Sequence, residues 1–162
     1  MTNAHHVQVS KSESVSPHMR RLVLRGMALK SLQSNDEGGY VKILFTSTDN
    51  PKVVLRAFNE QPSQLTLDIV SHGDEGVTAK WLSQCPQGDD VIVGGPGEKK
   101  LVNRKADWVF LAGDMTALPA IAVNLEVLPD DARSYAIIRI NAEKNKQLID
   151  APKDLQQYWL IS

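Results

Sequence analysis

The feature that most constrains this chain is a change of hydrophobic period at GGPGEKK, residues 94–100. Before it, short apolar runs follow one another: VQVSKSES, MRRLVLRG, GYVKILFTS, KVVLRAFN, QLTLDIVSH and DDVIVGG. Stretches rich in turn formers, such as SLQSNDEGG and TDNPK, separate them, which is the pattern of antiparallel strands. In QLTLDIV, Leu65, Leu67 and Ile69 share one face and Thr66 and Asp68 the other, as one-sided burial requires. About six such strands leave exposed edges unless the sheet closes, so a small barrel is expected. After the change, WVFLAG, a helical stretch over 117–128, SYAIIRIN, a short helical NKQLID and QYWLIS read as β-α-β-α-β. These strands are apolar enough to be covered on both faces, which predicts a parallel sheet opening a doubly wound domain. A barrel followed by such a sheet offers a cleft for a flat ligand.

Charge and cysteine content narrow the function classes. Eighteen Lys and Arg stand against nineteen Asp and Glu, a net charge of -1, so no overall field draws nucleic acid or anionic lipid. A single cysteine, Cys85, cannot form an internal disulfide. The opening MTNAHHVQVS has neither a basic n-region nor an apolar core, and a cytoplasmic protein is expected. Every apolar run is far shorter than the roughly 20 residues that span a bilayer. No metal-ligating cluster and no catalytic side chain stands out. Trp81, Trp108 and Trp159 sit in apolar patterns and read as core residues.

Two turns carry the chemistry. In SHGDEGVTAKWLSQ a Gly-rich turn precedes a helix over 78–84, whose unpaired first N–H groups and dipole suit a phosphate. Asp74 and Glu75 could instead cap that helix themselves, leaving it to cover a barrel mouth. In DWVFLAGDMTALPAI, Gly113 and Asp114 lie where a parallel strand gives way to a helix, the place where open α/β sheets bind ligands. Asp114 or Thr116 can cap this helix, and Pro119 is tolerated in its first turn. The turn lacks the later glycines of a phosphate loop and carries an anion, so hydroxyl or amide contacts suit it better.

The strings SPHMRRLVL, EGGYVKILF, SHGDEGVTAKWL, GGPG and above all LAGDMTALPAIAVNLEVLP resemble the siderophore-interacting protein family. These are FAD-dependent ferric-siderophore reductases of the ferredoxin-reductase-like group. The resemblance implies a six-stranded antiparallel Greek-key FAD-binding barrel over residues 1–103, followed by a truncated parallel-sheet domain for NADPH or NADH over 104–162. It places His72, Gly73, Gly76, Val77, Thr78 and Ala79 on the FAD diphosphate segment. Gly113, Asp114, Thr116, Ala117 and Pro119 match the loop where flavin and nicotinamide cofactor meet. Met115 stands where the family usually has Glu, and Val77 and Ala79 depart from its Gly-Pro-Ala-Ser.

Two larger departures bear on activity. The family's flavin-contacting Arg-x-Tyr-Thr motif is either degenerate here, as Arg56, Phe58 and Asn59, or absent, with RAFN matching the residues after it and the strand shortened. The family also continues past the equivalent of YWLIS. The expected activity is NAD(P)H-linked reduction of ferric siderophores, releasing iron inside the cell. Arg56, Lys99, Lys100, Arg104 and Lys105 are candidates for docking the anionic substrate. The rival reading is a catalytically impaired, flavin- or siderophore-binding remnant. An apolar C-terminal strand with no helix to cover it also invites self-association.

Overall fold

The computed structural model describes residues 4–32, 36–44, 52–59, 63–71, 77–84 and 87–162. The chain divides into two compact units, Met1–Lys99 and Lys100–Ser162. In the first, β1 (Ala4–Ser16), β2 (Met19–Arg25), β3 (Tyr40–Leu44), β4 (Lys52–Asn59), β5 (Gln64–Val70) and β6 (Asp90–Gly94) close a barrel in the order β1-β2-β5-β4-β3-β6. All its pairings are antiparallel, and β5 rather than β3 lies beside β2, as a Greek key requires.

Closure depends on β1. Its first half pairs with β6, from Ala4↔Gly94 to Gln8↔Asp90. Its second half pairs with β2, and the register shifts between Val9 and Lys11. At that irregularity Ser10 Oγ donates to Val23 O at 2.8 Å. A bulge bends a strand and increases its twist, which lets one long strand serve two neighbours around a curved wall.

The barrel interior follows the period-2 pattern of the sequence. Val7 and Val9, Leu22 and Leu24, Val41 and Ile43, Leu65 and Leu67, and Val91 and Val93 all point inward and are buried. Each leucine so enclosed contributes roughly 2 kcal/mol of burial free energy. A 3₁₀ turn, Met27–Ser31, adds Leu29, and the helix α1 (Val77–Gln84) adds Leu82, both joined to the same core. Trp81 packs partly buried against it. The α1 helix therefore covers barrel core, as its position in the sequence predicts.

His5 fastens the turn to the barrel wall. Its ring is buried, with Nδ1 2.9 Å from Ala28 O and Nε2 2.9 Å from Gly95 O. Nearby, Gly97 N donates to Tyr40 O at 2.7 Å, and a Cβ at Gly97 would lie 2.3 Å from the Tyr40 ring. Only glycine fits under that ring, which explains the last glycine of GGPG.

The second unit holds a parallel sheet ordered β7-β8-β9, from β7 (Val109–Gly113), β8 (Ser134–Ile140) and β9 (Gln156–Ile161). The helix α2 (Leu118–Glu126) packs on β7, with Ile121 Cδ1 3.4 Å from the position of a Gly113 Cβ. Asn124 on α2 ties down the segment that enters the unit. Its Oδ1 accepts from Val102 N at 2.7 Å, and its Nδ2 donates to Lys100 O and Ala120 O.

Three expectations are corrected here. The helix expected over NKQLID is a single 3₁₀ turn, Glu143–Asn145, after which the chain runs without helix and Leu148 is fully exposed. The sheet is not covered on both faces: Phe110 and Tyr158 remain 51% and 54% exposed. Trp108 is not a core residue; it is 59% exposed and meets Tyr135 edge-on at 6.4 Å. Side chains alternate across a strand, so the face opposite α2 receives Phe110, Tyr135 and Tyr158 together.

Candidate functional site

The Gly113–Pro119 turn is closed by its own residues. Asp114 Oδ1 accepts from Thr116 N at 2.9 Å and also from the Thr116 hydroxyl. Ala117 N donates to Asp114 O at 3.1 Å and Leu118 N to Met115 O at 3.3 Å. The N-cap of α2 is Ala117, with no side-chain cap bond, so neither Asp114 nor Thr116 caps the helix as expected; their bonds close the turn before it, and Pro119 has no N–H to offer. Hydrogen bonding from the Thr116 side chain holds the Asp114 carboxyl below its ordinary value, against a smaller opposing effect of burial. Arg139 of β8 faces it, with Nη2 3.9 Å from Asp114 Oδ2.

Gly113 has a packing reason. A Cβ there would sit 2.5 Å from Ala117 Cβ, so these two positions set how closely α2 approaches β7. Met115 is buried and presents no polar group to a ligand. Thr116 is exposed, and Asp114 and Ala117 are half-buried. What this turn offers is a hydroxyl, a carboxylate and a guanidinium.

In the barrel unit the expected residues are less concentrated. His72, Gly73 and Gly76 lie outside the described residues, as do Asp74, Glu75 and Cys85. Val77 opens α1, Thr78 is half-buried and Ala79 is buried. On β4, Arg56 and Phe58 part company. Phe58 is buried in the barrel core, while its N–H donates to Glu37 Oε1 at 2.9 Å. Arg56 has Nε 4.0 Å from Asp68 Oδ2, on the outer side of β5. A register shift between Leu55 and Ala57 separates their orientations. Asn59 ends the strand and is exposed. β4 itself spans all of KVVLRAFN.

Asp68 is a feature that the reading of an alternating strand misses. It lies on the face opposite the core, yet its side chain is only 3% exposed, because Arg21 of β2 covers it with two bonds of 2.7 Å. Arg21 and Asp68 are register partners. The available signal was opposite charge on two neighbouring strands, MRRLVLR and QLTLDIV.

A model of the siderophore-interacting FAD-binding domain matches residues 8–56 and 52–100, and a siderophore-interacting protein model matches 106–162. The chain belongs to the siderophore-interacting protein family. An uncharacterized protein of Mycobacterium tuberculosis is 29% identical over 182 residues, covering 96% of this chain and 64% of the relative. The ferric vibriobactin reductase ViuB of Vibrio cholerae is 25% identical over 173 residues, covering 93% and 64%. A crystallised siderophore utilization protein from T. fusca superposes with a TM-score of 0.87 at 27% identity, over 99% of this chain and 69% of that one. This member of the family therefore spans 64% of the length of the curated relatives it matches. The first alignment, at 182 positions, exceeds the 162 residues of this chain, so that relative carries residues inside the matched region without counterpart here. The FAD-domain match breaks and resumes at residues 52–56, within β4.

The donors present fit a flavin dinucleotide at one end and leave the other thin. α1 has no carboxylate within its own first turn, and the amides of Val77, Thr78 and Ala79 have no acceptor earlier in the helix, which is the chemistry that suits a diphosphate; Asp74 and Glu75, the capping candidates before it, lie outside the described residues. Phe58 cannot offer its ring to a flavin from inside the core. In the second unit, the occupied amides of α2 are unsuited to a diphosphate. The Thr116 hydroxyl and the Arg139 guanidinium suit ribose oxygens and a phosphate. Among the described residues no group of three His, Cys, Asp or Glu is placed to hold a metal, and no helix is long and apolar enough to cross a membrane.

Proposed function

We propose that this chain acts in the FAD-dependent, NAD(P)H-linked reduction of ferric siderophores, in the cytoplasm. The observation that carries the reading is the family match over both units, 8–100 and 106–162, together with the name of the V. cholerae relative, a ferric vibriobactin reductase. The barrel, assigned to residues 1–103, is the FAD-binding part, and 104–162 is the nicotinamide part; the compact units Met1–Lys99 and Lys100–Ser162 support that division.

Bound FAD supplies the conversion of a two-electron donor to single-electron delivery. The chain's own residues bind and orient. Val77, Thr78 and Ala79 hold the diphosphate, joined by His72, Gly73 and Gly76, and Arg56 and Asn59 lie on the strand along which the family places its flavin contacts. Gly113 and Ala117 set the spacing of the second turn, while Asp114 and Thr116 receive ribose hydroxyls and Pro119 fixes the helix start. The exposed Lys99, Lys100, Arg104 and Lys105 attract the anionic ferric chelate. Ferrous iron is held less tightly by hard oxygen ligands, so reduction releases it.

The rival, a flavin- or siderophore-binding remnant without turnover, is favoured by the break of the FAD-domain match in β4 and by the burial of Phe58. One preparation separates the two. Purified protein reconstituted with FAD should show a flavin absorbance band, bleach on addition of NADPH or NADH, and reduce a ferric siderophore in the presence of a ferrous-specific chromophore. A yellow protein that does not bleach is the remnant; a folded protein that takes up neither FAD nor a ferric siderophore sinks both readings.

A further inference from the structure

Resting on the nicotinamide reading of the second unit, we infer that Arg139 selects NADPH over NADH by receiving the phosphate on the adenosine 2′-oxygen. In a β-α-β unit that binds a dinucleotide, the side chain near the carboxyl end of the second strand meets the adenosine ribose. A carboxylate there takes the free hydroxyls, and an arginine accommodates a 2′-phosphate. β7, α2 and β8 form such a unit, with β7 and β8 parallel.

The sequence RINAEKN offers both signs of charge at this strand end, and the fold separates them. Glu143 opens the 3₁₀ turn and is ion-paired with Lys146, so its charge is neutralised within that turn. Asn145 is fully buried. Arg139 stands one residue beyond Ile138, the register partner of Gly113, and its guanidinium reaches toward the end of β7. Its guanidinium approaches Asp114, in the turn where the cofactor is proposed to lie.

Its present contact leaves it available. Asp114 already accepts both Thr116 donors through Oδ1, and its other oxygen is 3.9 Å from Arg139, at the outer limit of an ion pair. The Arg139 side chain is 62% exposed, so a ligand can reach its guanidinium. A planar fork of this kind binds two oxygens of one phosphate, which a ribose hydroxyl pair cannot match.

The same guanidinium chemistry could serve the diphosphate that NAD⁺ and NADP⁺ share, and calorimetric titration of the full chain with each oxidised cofactor distinguishes the two. NADP⁺ should bind about tenfold or more tightly than NAD⁺, with a gap that narrows as salt rises. Arg139→Gln should remove the gap by weakening NADP⁺ alone, and Arg139→Glu should reverse it. Equal wild-type affinities overturn the inference, as does an NADP⁺ preference that survives Arg139→Gln. Equal weakening of both cofactors by Arg139→Gln also overturns it and moves the contact to the diphosphate. In each of those cases nucleotide binding persists and the nicotinamide reading stands. Failure of the wild type to bind either cofactor overturns that reading and this inference together.

Discussion

Thr116 donates twice to Asp114, once from its backbone and once from its hydroxyl, and the two halves of that arrangement can be told apart. Because the Asp114 carboxyl is depressed, the stability it supplies is present above the ordinary aspartate value of 3.8 and lost as pH falls through the lowered one. Thr116→Val removes the hydroxyl and keeps the shape. The titration of Asp114, followed by the chemical shift of its carboxyl carbon, should move up toward the ordinary value, and an unmoved titration would show that the hydroxyl does not act. Gly113 makes a steric prediction. Gly113→Ala places a methyl 2.5 Å from Ala117 Cβ, which should cost about 1–3 kcal/mol in urea unfolding. Adding Ala117→Gly vacates that space and should recover part of the loss; a double variant no better than the sum of both singles contradicts the packing account.

At the scale of elements, Asn124 carries more than its place on an apolar helix announces. It is buried and bonded to both Lys100 O and Val102 N. Asn124→Leu leaves the Val102 amide without its acceptor and should destabilise the second unit by about 2 kcal/mol, with faster hydrogen exchange at Val102 as the local signature. Unchanged exchange there would mean that the 100–102 segment is held by something else. The strand QLTLDIV was legible to its ends, because burial of Leu65, Leu67 and Ile69 on one face imposes a period that sequence displays. NKQLID was not: its apolar pair Leu148–Ile149 gives too little to bury, Pro152 follows closely, and Leu148 ends in solvent. The strand-to-helix turn at Gly113 was legible from its glycine, which meets Ala117, but not its cap, since Ala117 holds the N-cap position without a side-chain bond. RINAEKN displayed both signs of charge at the end of the second strand, but not which of them meets the Asp114 turn, because the pairing of Glu143 with Lys146 and the approach of Arg139 to Asp114 are three-dimensional facts. His5 was hidden for a similar reason: nothing in AHHVQV says which histidine turns inward to meet Ala28 and Gly95.

For the molecule as a whole, the sheet of the second unit presents aromatic and aliphatic side chains to solvent, among them Trp108, Phe110, Tyr158 and Leu160. Parallel sheets are ordinarily enclosed on both sides, and an apolar face of this kind promotes association. Light scattering should therefore show mass rising with concentration, and the pair Tyr158→Lys and Leu160→Lys should hold the chain at its monomer mass of 17.9 kDa. Equal masses for wild type and variant at every concentration would remove self-association from the account. The barrel makes a different demand on the chain. Its keystone is the five-residue β6, which bonds β1 on one side and β3 on the other. During synthesis, a ribosome-bound nascent chain that has not yet extruded Asp90–Gly94 carries two unsatisfied strand margins, and this is the interval in which a chaperone would have most to shield.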